Sequence, residues 1–339
     1  MHTTRRGLRL TTAAVVAATL LAACTTEQQS DPSPTLTSTT STAPPDTSVP
    51  DDTTATTTPP ETTAAPETTE ETTTTIAAPS GPTASTVPLL IGGADGGWLS
   101  LGSWSIDHWE SDFGDDGVPI PPNVAPGTAM TVSNLSGESA GTTGSNVDAC
   151  FDERIGPTID AAVSPPDPPG FGYNAVALPT PTWPLKPRPI AVTTAAPASY
   201  QTLGEAIYAD LPVDGTLGAV EQLVVADLDG DGDDEALVSF EYIQPDGGPG
   251  TAGDFSAIML VDTETTTSST VIESHIASDV PPDTFLVIGR TRVIDVADVN
   301  GDGRMEVAVH SWYYEGASVL LYEYDGTTLV EALGTGCGS

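Results

Sequence analysis

One stretch narrows the possible folds more than any other, because it occurs twice. VVADLDGDGDDEALV, starting at Val224, and VADVNGDGRMEVAV, starting at Val296, each set oxygen-bearing side chains between two apolar runs. Aligned, Asp227, Asp229, Asp231 and Glu235 stand opposite Asp298, Asn300, Asp302 and Glu306, each pair 71 residues apart (298 minus 227). These are positions 1, 3, 5 and 9 of each loop. Gly230 and Gly232, like Gly301 and Gly303, supply the backbone freedom to wrap a small ion. The position 7 carbonyl, from Asp233 in one loop and Arg304 in the other, completes the shell. Oxygen ligands in this number on a flexible loop, with no His or Cys nearby, select calcium over zinc, copper and magnesium. Two calcium sites are therefore expected.

An EF-hand needs a bidentate Glu at position 12 and flanking helices. Position 12 is Val238 in one loop and Val309 in the other, each inside a β run. The dockerin loop is disfavoured because it too leads into a helix. A strand, an acidic loop with an acid at position 9 and a second strand resemble the FG-GAP repeat of integrin alpha-subunit propellers and related bacterial surface proteins. The resemblance implies calcium within a β-hairpin, held by Asp227, Asp229, Asp231 and Glu235 in one repeat and by Asp298, Asn300, Asp302 and Glu306 in the other. It covers roughly residues 220–335, as repeats over about 220–264 and 292–335. FSAIMLVDTETTTSSTVIESHI and GASVLLYEYDGTTLVEAL supply the further hairpin strands that such repeats lead one to expect. A closed propeller has about four to eight blades. Two repeats imply either a degenerate propeller or a smaller β domain with its own N-terminal part. The second is favoured, because a proline-rich stretch and a helix lie where regular blades should be.

Upstream, order is expected from Leu89, with short strands around 98–106 and 129–134. Residues 157–197 are proline-rich, leave room for a short strand or two, and must wrap the surface of something else. At ASYQTLGEAIYADLP the period changes. Ser199 is placed to cap a helix of three turns, Tyr200, Leu203, Ile207 and Leu211 share a face, and Pro212 closes it. Strands are then expected over 220–226, 236–243, 256–262, 270–276, 285–296, 306–314, 318–324 and 329–333. Alternation is strict only around Met305 to His310, which implies strands covered on both faces. Residues 246–248 and Asp325-Gly326 signal hairpin turns. The fold class is mainly β with one helix, a domain spanning 89–339.

Residues 1–24 read as an export signal: Arg5, Arg6 and Arg9, an apolar run too short to cross a bilayer, then Leu21-Ala22-Ala23-Cys24. That tetrapeptide resembles the lipobox of bacterial lipoproteins, which implies lipidation of Cys24 and anchoring at the outer face of the cell membrane. The Arg5-Arg6 pair also resembles a twin-arginine signal, leaving two export routes open. Residues 25–88, almost pure Thr, Pro, Ser, Ala, Asp and Glu, cannot bury enough surface to offset the entropy of ordering. They read as a disordered stalk reaching at most about 200 Å at about 3.1 Å per residue.

The formal net charge is −38. Without the first 24 residues, six basic stand against 47 acidic groups, a net of −41. Such a field excludes nucleic acid as an electrostatic partner and favours cations. With Cys24 lipidated, Cys150 and Cys337 remain in an oxidising compartment and are expected to pair. Trp98, Trp104 and Trp109 suggest either a carbohydrate-binding face or ordinary packing, with packing favoured. The acidic run Asp112, Asp115 and Asp116 reads as a solvated loop, and His310 as a structural His rather than a general base working with Glu315. The expected function is a surface lipoprotein whose calcium-stabilised domain acts as a binding, adhesion or structural module toward a glycan or protein. The alternative is an exported enzyme acting on polysaccharide or cell wall that uses the loops for stability; no catalytic set is recognisable.

Overall fold

The computed structural model describes residues 86–92, 97–111, 124–150, 154–161, 172–209, 220–244, 250–263, 268–276 and 286–338. All belong to the unit Thr72–Ser339. The export signal with Cys24, the expected stalk up to residue 85, the acidic run at 112–116, the turn at 246–248, and Leu211 and Pro212 lie outside the described residues.

The chain is mainly β. Strands β1 (Val87–Gly92), β2 (Leu99–Ser105), β3 (His108–Glu110), β4 (Ala129–Asn134), β5 (Gly137–Cys150), β6 (Arg154–Ala161) and β7 (Ala175–Pro179) form an antiparallel sheet in the order β3-β2-β1-β7-β4-β5-β6. This sheet curls, so that the Trp98 N–H, just before β2, donates to the Pro157 carbonyl on β6 at 2.9 Å. Gly156 permits the closure, since a side chain there would meet the Trp98 carbonyl oxygen at 1.7 Å. Inside the curl Leu90, Trp98, Met130, Val132, Ala175 and Ala177 pack together.

After β8 (Ile190–Thr193) comes α1 (Ala198–Ala209), the one helix among the described residues. Next follow two four-stranded meanders. The first is β9 (Val220–Ala226), β10 (Glu235–Tyr242), β11 (Phe255–Asp262) and β12 (Ser268–His275), with β8 added beside β9. The second is β13 (Arg290–Ala297), β14 (Glu306–Tyr313), β15 (Gly316–Tyr324) and β16 (Leu329–Gly338).

Packing runs layer on layer. Tyr200 and Leu203 of α1 cover Val238, Phe240 and Phe255 on one face of the first meander. Its other face, with Val224, Leu237 and Ile258, packs on Val293, Val307 and Val309 of the second meander. The far face of the second meander, with Trp312, Val319 and Leu321, packs on Leu89, Leu99 and Val176 of the curled sheet. Both meanders are thus covered on both sides, which explains why their alternation fades in the sequence. A polar seam fixes their mutual register: the buried amide of Gln222 donates to the Val293 carbonyl and accepts from the Val293 N–H, both at 3.0 Å. Cys150 at the end of β5 and Cys337 in β16 form the expected disulfide, with a Cα–Cα distance of 5.6 Å. Beside it, Arg154 donates from Nη1 to the Thr335 hydroxyl and the Gly336 carbonyl, each at 2.7 Å.

Several expected boundaries move. Strand β1 opens at Val87, two residues before Leu89, because Val87 is buried and pairs with Trp104. The helix begins at Ala198, so Ser199 sits inside the first turn instead of capping it. Strand β13 begins at Arg290 and not at 285, and β16 continues to Gly338 along β15. Strand β5, fourteen residues of GESAGTTGSNVDAC, has no apolar period to announce it; ladders to β4 and β6 hold it extended.

Candidate metal sites at the paired acidic loops

Each meander opens with a strand, an acidic loop and a strand in the same register. Glu235 pairs with Ala226 across β9 and β10, and Glu306 pairs with Ala297 across β13 and β14. The position 9 carboxylate therefore lies beside the residue preceding position 1 in both loops. From there Glu235 Oε2 accepts the Leu228 N–H and Glu306 Oε2 accepts the Val299 N–H, both at 2.9 Å. Asp227 and Asp298 accept the N–H three residues on, from Gly230 and Gly301, both at 2.6 Å. Asp229, Asp231, Asn300 and Asp302 each accept the N–H two residues on, at 2.8 to 3.3 Å. Gly230, Gly232, Gly301 and Gly303 have φ between 80° and 102°, which L side chains rarely adopt. The sequence duplication is thus a duplication of backbone shape, with the same side-chain oxygens bonding the same backbone N–H groups in each loop.

The two loops differ in setting. In the first, carboxylate oxygens of Asp227, Asp229 and Asp231 lie within 4.8 Å of one another and could hold a metal ion. Asp231 and Asp233 are exposed, and the oxygen-only donor set suits a hard cation. In the second, Asp298, Asn300 and Glu306 are buried while Asp302 faces solvent. Burial pushes the Asp298 carboxyl up to about 6 against three backbone N–H groups that pull it down. Burial pushes Glu306 well above the ordinary carboxylate range, with Asp302, Asp298 and Glu323 adding repulsion. Glu235 is raised by burial and by its three aspartate neighbours. A buried carboxylate beside other carboxylates is costly unless a cation compensates it, so the residues fit a bound cation. A cavity of about 370 Å³ lined by Asp302, Glu306, Glu323 and Asp325, together with Arg304, Tyr324 and Val330, opens beside this second loop. Val238 and Val309, at position 12, are fully buried in β10 and β14 and supply no ligand.

The proline-rich stretch contributes groups that sequence reasoning missed. Between residues 181 and 189 it runs as a strap across both loops. Trp183 Nε1 donates to the Asp298 carbonyl at 2.9 Å, and the Asp298 N–H donates to the Leu185 carbonyl at 2.7 Å. Lys186 binds the buried Asp295 carboxylate at 2.6 Å. Arg188 donates to the carbonyls of Asp227, Leu228 and Gly303 at 2.6, 2.9 and 2.8 Å. A signal was present in the sequence: Lys186 and Arg188 are two of only six basic residues outside the first 24, set between prolines in an acidic chain. Tyr324 reaches both loops as well. Its carbonyl accepts from Arg304 Nη1 at 3.1 Å, and its side chain is raised to about 12 mainly by burial, with the nearby Glu235 and Asp229 carboxylates adding to the shift.

The other sequence candidates separate. Trp98 is in the core of the curled sheet, whereas Trp104 and Trp109 form an edge-to-face pair at 4.8 Å, with Trp109 Nε1 donating to Glu323 at 2.8 Å. The three do not share one face. His310 is fully buried on β14, stacked on Trp312 at 5.0 Å, whereas Glu315 is exposed in the β14–β15 turn. Burial, aided by Arg292, pushes the imidazole down to about 4, so it is neutral at pH 7 and closed off from solvent. Comparison with protein-family models, curated proteins and solved structures found no match.

Proposed function

We propose that this chain is an exported, lipid-anchored bacterial surface protein whose β domain binds two calcium ions and serves as a binding, adhesion or structural module. The observation that carries the calcium reading is the repetition of one oxygen-lined loop conformation at matched places in two meanders, with the Asp298 and Glu306 carboxylates buried together in the second. A four-stranded meander opening on such a loop also supports the likeness to FG-GAP blades, two of them set against a curled sheet in place of a full propeller. Asp227, Asp229, Asp231 and Glu235, with the Asp233 carbonyl, hold one ion; Asp298, Asn300, Asp302 and Glu306, with the Arg304 carbonyl, hold the other. Calcium supplies the countercharge that lets these strand ends stay together. The Cys24 lipid and the Thr/Pro stalk present the domain to a glycan or protein ligand at the cell surface.

Extracellular sites of this type bind at about 10⁻⁴ to 10⁻³ M. At roughly tenfold excess over Kd each ion adds about 1.4 kcal/mol, so saturating calcium should raise Tm on the order of 5 °C over chelator. An unchanged Tm in calorimetry refutes calcium binding. Glu306→Gln keeps an acceptor for the Val299 N–H and removes a buried ionisable group. Its Tm in chelator is expected at or above that of the parent, with at most about half of the calcium-induced shift, the share of the first loop, remaining. A full shift in this variant would remove Glu306 from the ligand set.

A further inference from the structure

The two loops are joined by more than their sheets. The guanidinium of Arg188 lies between them, donating Nε to the Asp227 carbonyl and Nη2 to the Leu228 carbonyl of the first loop, and Nη1 to the Gly303 carbonyl of the second. The Met305 N–H donates to the same Leu228 carbonyl at 2.8 Å. Position 7 of the second loop, Arg304, thus sits between two peptide groups tied to positions 1 and 2 of the first loop. Gly230 gives the fork its room, because a side chain there would meet Arg188 Nη1 at 2.9 Å. Pro187 and Pro189 restrict the backbone on either side of Arg188. The strap also holds both backbone groups of Asp298, through Trp183 and Leu185.

From this geometry we infer that Arg188 couples the two acidic loops, so that calcium bound in one raises the affinity of the other. The inference rests on the calcium reading proposed above. The physical route is short. An ion in the first loop immobilises Asp227 and Leu228, whose carbonyls anchor the guanidinium; the guanidinium and the Met305 N–H then hold the Gly303–Met305 turn that presents the Arg304 carbonyl. The second ion meets a turn already ordered and loses less entropy on binding. Coupling in the reverse direction follows by linkage, with the same factor. Arg188 touches no ion in this scheme and acts as a positioning residue.

The test is a coupling cycle by isothermal titration calorimetry on the full chain with calcium chloride. Emptying the first loop with Asp229→Ala and Asp231→Ala is expected to weaken binding at the second about tenfold in the otherwise unaltered protein. Emptying the second loop with Asp302→Ala should weaken the first by the same factor. In an Arg188→Met background both effects should shrink to less than about twofold. Arg188→Lys, which keeps the charge and loses the planar fork, should lose the coupling too and serves if the methionine variant fails to fold. Second-loop affinity indifferent to the state of the first, or coupling that survives both substitutions, overturns the role of Arg188. Absence of calcium binding to the unaltered protein instead overturns the underlying reading, so the two failures are distinct.

Discussion

Removing the Cys150–Cys337 disulfide, by replacing both cysteines with serine, is expected to cost about 5 kcal/mol in the chain-entropy model. The sequence separation of 187 residues decides the magnitude, because a cross-link that long excludes most of the open conformations of the unfolded chain. The figure is an upper-end value. The bond joins the end of β5 in the curled sheet to β16 in the last meander. Arg154 clamps the same place through Thr335 and Gly336, and that clamp persists without the disulfide. The fold should therefore survive at 25 °C with a much lower urea midpoint. Urea titrations of the parent and the double-serine variant read the difference. A loss below about 1 kcal/mol would show that the cross-link adds little to what the sheets already impose.

The second large effect is set by His310. Its imidazole is fully buried, faced by Tyr173, Trp312 and Arg292, and neither ring nitrogen has a protein partner among the described residues. Its folded pKa of about 4 lies below the 6.5 of a free His. As pH falls, the unfolded chain takes up this proton first. The contribution of His310 to stability is fully present above about 6.5 and is lost progressively as pH falls toward about 4, by about 3 kcal/mol in total. Replacement by Leu removes that linkage. Between pH 7.5 and pH 4.5 the stability difference between His310→Leu and the parent should move by about 3 kcal/mol in favour of the variant. Carboxylates shared by both proteins cancel in this difference. Parallel stability curves over that range would show that His310 is not held neutral by its surroundings.

Much of the acidic site was legible in the sequence. Loop chemistry is local: alternate oxygens, glycines at positions 4 and 6 and an acid at position 9 specify a turn whose side chains bond backbone groups two, three and seven residues away. The β character of the second half was legible because Val, Ile and Tyr runs recur between turn residues. Position 12 excluded the helical loop families from a single valine in each repeat. The front half read poorly, since β5 and β6 carry Thr, Gly, Ser and Asn where an apolar period would be sought. Their extended form depends on pairing with strands distant in the chain, and no local pattern encodes that.

The sequence by itself determined two oxygen-lined turns, a cysteine pair, the helix before the meanders and an acidic composition, because each depends on residues close together or few in kind. Tertiary structure alone decided that the meanders pack face to face, and that a proline-rich strap carries Arg188 to the junction of the two loops. Arg188 is 39 residues from Asp227 and 115 from Gly303. Contacts over such separations arise only when apolar sheet faces stack and carry their loop ends into reach, and that burial is a property of the whole domain.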